Sequence, residues 1–180
     1  MVGFASADLS EPRKGAAGLA EALGAFKPSE LTLLTFGSGQ WPHSACSAEV
    51  LHLGRLSSPR LQSLFYSALD VFAAPSRVET FCNTALEAMA CATPVVAYHA
   101  GGLAEVIVHD ETGLLERDVG SVGGMARMLQ WMQEHPLERE KMGTAARHRV
   151  VECFTDQLMA ERYIKLYEEL MVKHDSQIIA

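Results

Sequence analysis

Residues 69–98, with the sequence LDVFAAPSRVETFCNTALEAMACATPVVAY, decide the fold. The apolar run Leu69–Ala74 predicts a buried strand, and Pro75 ends it. A helical pattern follows over Phe81–Cys91, and a second apolar run covers Pro94–Tyr98. Short apolar runs on either side of a helix are typical of neighbouring strands in a parallel sheet that is buried on both faces. The segment therefore predicts a strand, a helix and a second strand.

The same alternation continues along the rest of the chain. Upstream we predict strands at Met1–Ala5, Leu31–Phe36 and Val50–Leu53, a helix carrying Leu19, Leu23 and Phe26, and a helix at Pro59–Ser67. Downstream we predict three helices, Val119–Gln133, Leu137–Val151 and an amphipathic Thr155–Val172. We therefore expect an α/β fold with a doubly wound, Rossmann-like parallel sheet and extra C-terminal helices. Ligands of such a sheet bind at the carboxyl ends of the strands.

Composition narrows the class of protein. The chain has 180 residues, 48% of them apolar, which suits one domain over residues 1–180. A net charge of −7 disfavours nucleic-acid binding, which needs clustered Lys and Arg. No run approaches the roughly 20 apolar residues of a membrane span and no signal-peptide pattern is present, so we expect a cytoplasmic protein. Four scattered cysteines predict free thiols rather than a metal site: Cys46, Cys82, Cys91 and Cys153.

The start of the helix after Pro75 is a candidate anion site. A helix N-terminus has unpaired N–H groups and the positive end of the helix dipole, and a diphosphate fits such a position. Because the chain is acidic overall, any phosphate has to be bound by local cations. The candidates lie in predicted loops or at loop edges: Arg13, Lys14, Arg55, Arg60 and Arg77.

Two carboxylates flank that helix start. Glu87 lies one turn beyond Asn83, and helical side chains tilt toward the N-terminus, so its carboxylate reaches back over that end. It can accept hydrogen bonds from the two hydroxyls of a ribose, as acidic residues do in dinucleotide folds. Glu79 precedes the helix, and we expect it on the sugar side of the cleft. Either glutamate alone is more typical of a surface residue that gains from the helix dipole.

The ordered set of motifs resembles the family-four retaining glycosyltransferases. These are two-domain enzymes of the GT-B fold, and the chain is similar to their C-terminal, donor-binding domain. The motifs are Pro75-Ser76, then Glu79 and Glu87 with seven residues between them, then Ala-Met-Ala at Ala88–Ala90, Thr-Pro-Val-Val-Ala at Thr93–Ala97 and Gly101-Gly102. The resemblance extends to Lys14-Gly15, Gly37–Gly39 and Leu69–Val71.

The resemblance implies a role for each matching position. Lys14 would bind the donor diphosphate and stabilise the leaving group, and Glu79 would lie beside the transferred sugar. Phe81, Cys82, Asn83 and Thr84 would hold the distal phosphate and the sugar through their backbone. Glu87 would hold the ribose, and Arg55 and Leu56 the base. Transfer would retain the anomeric configuration and use neither a metal nor a cofactor.

Three positions depart from the family pattern. The family commonly has an arginine five or six residues before the lysine, where this chain has Leu9 and Asp8, and we expect Arg13 to substitute for it. Cys82 and Ala92 replace two usual glycines. Cys82 keeps its backbone N–H for the phosphate, and we expect its side chain to narrow the approach to the sugar.

A complete enzyme of this type is about twice as long, because an N-terminal domain binds the acceptor. We therefore expect this chain to lack that domain and to be inactive alone, and a complete enzyme could also sit at a membrane surface. The last helix would lose its partner surface, so we predict that it self-associates or packs on a neighbouring chain, unless it folds back on its own sheet. Its apolar stripe consists of Leu158, Met159, Tyr163, Leu166, Tyr167, Leu170 and Met171.

Three other functions share this sheet architecture. A nicotinamide-dependent oxidoreductase is disfavoured because Gly37–Gly39 lacks the third glycine and the following helix of the dinucleotide fingerprint. A GT-B epimerase uses a different set of active-site residues. A non-catalytic nucleotide-sugar-binding module, or a subunit of a split enzyme, stays open as the alternative to a transferase domain.

Overall fold

The fold is built from six strands and seven α-helices in the part of the chain described by the computed structural model, residues 1–42 and 48–178. Cys46, predicted as a free thiol, lies outside these residues. The strands are β1 (Val2–Asp8), β2 (Thr32–Ser38), β3 (Glu49–His52), β4 (Val71–Ala74), β5 (Val95–Tyr98) and β6 (Gly113–Glu116). The helices are α1 (Ala16–Leu23), α2 (Pro59–Ser67), α3 (Asn83–Ala90), α4 (Leu103–Val106), α5 (Val122–Glu134), α6 (Pro136–Cys153) and α7 (Asp156–Ile178).

All six strands pair in parallel in the order β3-β2-β1-β4-β5-β6. The chain builds outward from β1 to β3 and then returns to place β4 on the other side of β1. This reversal creates a topological switch point between β1 and β4, and a crevice is expected at the carboxyl ends of these strands. The predicted doubly wound, Rossmann-like sheet is confirmed.

Two hydrophobic cores cover the two faces of the sheet, because side chains alternate along each strand. Val71 and Ala73 of β4 pack with α1 and α5 on the first face. Phe72 and Ala74 pack with α2, α3 and α4 on the second. The strands that carry the crevice are therefore buried on both faces, as their continuous apolar sequences predict.

Two short elements were not predicted. Strand β6 is a four-residue edge strand with only two large apolar residues, and α4 is a single turn directly after Gly101-Gly102. Neither is long enough to show a periodicity. The helix predicted at Phe81–Cys91 begins at Asn83 instead, because Cys82 has a left-handed backbone (φ 67°) that cannot continue a helix.

Helix α7 does not fold back onto its own sheet. Tyr163 and Tyr167 are 53% and 58% exposed, and Met159, Ile164, Leu166, Leu170 and Met171 are exposed as well. Among the described helices, none is long and apolar enough to cross a membrane. The apolar stripe of α7 is thus present and uncovered within this chain.

Candidate functional site

The loops after β1 and β4 meet at the switch point and are bonded to each other. The chain after β1 forms a 3-10 turn, Pro12–Lys14, and Gly15 then takes a left-handed backbone (φ 76°). The Arg77 N–H donates to the Arg13 carbonyl at 2.9 Å. A Cβ on Gly15 would collide with the Pro75 carbonyl oxygen, so only glycine allows this approach. The turn therefore brings Lys14 directly over the loop that carries Glu79.

Lys14 and Glu79 form an ion pair where the two loops meet. The Lys14 Nζ donates to the Glu79 Oε2 at 2.6 Å, and the two side chains are 18% and 7% exposed. Arg13 adds a second cation, with its Nη1 3.9 Å from the same oxygen, although Arg13 also pairs with Glu11. Burial raises the pKa of Glu79, but Lys14, the Thr80 N–H and Arg13 outweigh it and hold the pKa below its ordinary value. Glu79 is therefore a carboxylate near neutral pH.

The Gly101-Gly102 turn holds the Glu79 loop from the opposite side. The Gly102 N–H donates to the Glu79 carbonyl at 3.1 Å. A Cβ on Gly101 would overlap that carbonyl, and one on Gly102 would overlap the Thr80 carbonyl. Close backbone packing after β5 thus explains the Gly-Gly motif. This packing fixes the position of the Glu79 backbone relative to the sheet.

Cys82 makes the turn between this loop and α3. Its backbone is left-handed, and its carbonyl accepts from the N–H groups of Ala85 and Leu86. The N–H groups of Asn83 and Thr84 have no hydrogen-bond partner within the described residues. They are the donors that the sequence predicts for a phosphate.

The Cys82 side chain is buried at the start of α3, and its effect on the approach to the sugar stays a prediction. The residue is 6% exposed and belongs to the core formed by α2, α3 and α4 on the second face of the sheet. Burial raises the pKa of its thiol. The thiol is therefore packed in that core, and it lies 3.5 Å from the Thr84 hydroxyl at the start of α3.

Glu87 lies on the exposed surface of α3, and Tyr66 of α2 reaches it. The Tyr66 hydroxyl donates to the Glu87 Oε2 at 2.7 Å. Sequence reasoning missed Tyr66, because an aromatic residue beside Phe65 in a helix is typical of core packing. It also missed Gln62, whose Nε2 donates to the Leu56 carbonyl at 2.8 Å. The two lie four residues apart and so share one face of α2, and this spacing is the signal that could have identified them.

The remaining predicted cations lie apart from the ion pair or are fully exposed. Arg55 is exposed beside the partly buried Leu56, and Arg60 is exposed in the first turn of α2. Arg77 lies against the loop before α5, where a Cβ on Gly120 would be 3.4 Å from its Nε. The structure thus brings together Arg13, Lys14 and Glu79. In the described part of the chain, no three or more His, Cys, Asp or Glu residues are grouped to hold a metal ion.

The sequence model of a known family, described as glycosyl transferases group 1, matches residues 10–149. This chain belongs to that family. The MMP alpha-(1->4)-mannosyltransferase of Mycolicibacterium hassiacum is 31% identical over 182 residues, which cover 96% of this chain and 44% of that protein. The resemblance to a C-terminal domain of a group 1 glycosyltransferase is therefore confirmed.

Solved structures share the fold. Sucrose-phosphate synthase from Thermosynechococcus elongatus matches with a TM-score of 0.82 and 25% identity, over 96% of this chain and 46% of that one. HepE from Anabaena, in complex with UDP-glucose, matches with a TM-score of 0.75 and 24% identity, over 91% of this chain and 48% of that one. The chain thus spans less than half the length of each of these three proteins.

Proposed function

We propose that this chain is the donor-binding domain of a retaining glycosyltransferase, which moves a sugar from a nucleoside-diphosphate sugar to an acceptor. The observation that carries the proposal is the Lys14–Glu79 pair, held over the switch point of the sheet beside the free N–H groups at the start of α3. A cation for the diphosphate and a carboxylate for the sugar hydroxyls stand there side by side. Family membership and the fold shared with HepE, solved with UDP-glucose, support it.

The same geometry suggests how the donor is held. The Lys14 ammonium has three N–H donors, so it can keep Glu79 and also bind a phosphate oxygen. Glu79 repels phosphate and therefore belongs on the side of the transferred sugar. The N–H groups of Asn83 and Thr84 take the distal phosphate, and Glu87 takes the ribose. Arg13 adds positive charge to the diphosphate side.

Transfer in this proposal retains the anomeric configuration and needs no metal or cofactor. The bond between the anomeric carbon and the phosphate oxygen breaks, and the acceptor oxygen bonds to the same face of the sugar. The acceptor proton passes to the leaving phosphate. Lys14 stabilises the negative charge that develops on the diphosphate, an electrostatic effect that often dominates catalysis.

A donor-binding module without turnover is the second candidate. It uses the same Lys14–Glu79 pair and the same N–H groups of α3, because these groups can hold a donor whether or not a sugar is transferred. An acceptor-binding domain, supplied in the same chain or by a partner, would complete the active site. Measuring transfer with and without such a domain separates the two candidates.

Ligand-induced thermal stabilisation tests the proposed donor site. Binding at a hundredfold excess over Kd stabilises the fold by about 2.7 kcal/mol, so UDP, GDP or ADP at millimolar concentration should raise the Tm visibly. Lys14→Ala should weaken the binding of the diphosphates but not of the free nucleosides, whereas Glu87→Ala should weaken the binding of both. Lys27→Ala, which removes an exposed lysine after α1, is the control and should bind normally. No shift with any of the three diphosphates would overturn the proposal.

Sugar transfer by an enzyme completed with its acceptor domain tests the role of Glu79. Glu79→Ala should lower the transfer rate far more than the affinity for the bare diphosphate, because that ligand lacks the sugar that Glu79 contacts. Chelation of divalent metals should change neither. Transfer that stops on chelation and returns with Mn²⁺ would contradict the metal-independent mechanism.

A further inference from the structure

Tyr66 is held rigidly between the sheet and α3. Its residue is 1% exposed, and its ring packs edge-on against Phe36, Phe65 and Phe72, with centroid distances between 5.2 and 6.0 Å. The Thr93 hydroxyl donates to its backbone carbonyl at 2.7 Å. Since both the ring and the backbone are fixed, the position of its hydroxyl is fixed too.

The hydroxyl of Tyr66 reaches a residue of the candidate site. It lies 2.7 Å from the Glu87 Oε2, and Glu87 is otherwise exposed on α3. Burial, and then the negative charge of Glu87, raise the pKa of the Tyr66 phenol. The phenol therefore stays protonated and donates to the carboxylate. Within the described residues the second oxygen, Oε1, has no hydrogen-bond partner.

We propose that Tyr66 is a positioning residue for ribose recognition, which holds the Glu87 carboxylate in the orientation that accepts the ribose hydroxyls. The inference rests on the proposed function, in which Glu87 binds the ribose. An ionised carboxylate has about four acceptor positions, so the bond from Tyr66 leaves Oε1 and part of Oε2 open. A free glutamate on an exposed helix face would sample several rotamers, and Tyr66 removes that freedom before the ligand arrives.

The expected size of the effect follows from the immobilisation of one side chain. Ordering one long side chain on binding weakens affinity by about two- to tenfold. Tyr66 would avoid this loss, because it orders the Glu87 side chain before the ligand binds. Tyr66→Phe keeps the ring and its packing and removes only the hydroxyl. Glu87→Ala removes the acceptor itself and should have the larger effect. In the Glu87→Ala background, Tyr66→Phe should have no further effect, because the two act through one contact.

The experiment compares UDP with 2′,3′-dideoxy-UDP by calorimetry for the wild type, Tyr66→Phe, Glu87→Ala and the double variant. Tyr66→Phe should weaken the binding of UDP about two- to tenfold and leave the binding of the dideoxy analogue unchanged, so the preference for ribose falls. Tyr98→Phe is the matched control: Tyr98 is also buried, and its hydroxyl donates to the Ser121 carbonyl at 3.1 Å, away from Glu87. It should keep the wild-type preference, whatever it does to the Tm.

Two results would overturn the inference. If Tyr66→Phe weakens both ligands equally, the tyrosine acts only through the fold. If Tyr66→Phe matches the wild type while Glu87→Ala loses the ribose preference, Glu87 binds ribose without help, and the proposed function survives alone. A wild type that binds none of UDP, GDP and ADP would instead overturn the proposed function, and the role of Tyr66 with it.

Discussion

Replacing Ala92 by glycine should stabilise the protein. Helix α3 ends in a Schellman motif: the Ala92 N–H donates to the Met89 carbonyl and the Thr93 N–H to the Ala88 carbonyl, both at 3.0 Å. The motif needs a left-handed residue at Ala92, whose φ is 60°. Glycine is the usual residue there, and the resemblance to family-four enzymes also places a glycine at this position.

The magnitude follows from two opposing effects. An L-residue in the left-handed region costs about 1–2 kcal/mol, which glycine would recover. Glycine also makes the unfolded chain more flexible, which costs about 0.4–1 kcal/mol. Ala92 is exposed, so little packing is lost. The net gain is about 0.5–1 kcal/mol, or a Tm about 1–4 °C higher for a chain of this size.

Thermal and urea unfolding of three variants check this reasoning. Ala92→Gly should raise the Tm, whereas Ala17→Gly, at an exposed position in the first turn of α1, should lower it by a cost of up to about 0.5 kcal/mol, the lower end of the range for a helix interior. Cys82→Gly relieves the same backbone strain but removes a buried side chain, so its net effect should be close to zero. A lower Tm for Ala92→Gly, with the expected loss for Ala17→Gly, would show that no recoverable strain is stored at the end of α3.

Two further predictions concern charge and association. The pKa of Glu79 is lowered from its ordinary value of 4.5, so its ion pair stabilises the fold above that pH, and the stabilisation is lost as the pH falls through the lower folded-state value. Glu79→Gln should therefore be less stable than the wild type in urea unfolding at pH 7. If the difference in unfolding free energy between the two proteins does not shrink toward pH 3, this reasoning is contradicted. The exposed stripe of α7 should drive self-association at high concentration, as such apolar patches mark interaction sites. In sedimentation experiments, the double variant Tyr163→Glu/Leu166→Glu should contain more monomer than the wild type. A wild type that is monomeric at high concentration would refute the predicted self-association.

Local signals in the sequence were enough for much of the fold. Helix α2 has the predicted bounds, Pro59–Ser67, because proline at its start is a local signal. The start of α3 was misplaced because the positive φ of Cys82 depends on packing against the second core. The hydrogen bond from Tyr66 to Glu87 joins residues 21 positions apart on different helices. No pattern within one element contains that information.

The candidate site shows the same division. Lys14 and Glu79 are 65 residues apart, and they meet because β4 lies beside β1 in the sheet. The alternation of strands and helices predicts a crevice at the carboxyl ends of the strands, but not which loops line it. The family resemblance supplied that pairing, and the distance between the two side chains required the structure.

The two glycine turns around the Glu79 loop limit how donor preference can change in this scaffold. Gly15 leaves no space above Pro75, and Gly101 with Gly102 leaves none behind Glu79 and Thr80. A loop clamped on both sides cannot be lengthened or tilted without displacing a neighbouring strand connection. Directed evolution toward a different sugar should therefore succeed by exchanging the exposed side chains of Val78, Thr80 and Phe81, whereas insertions in this loop should yield protein that does not fold.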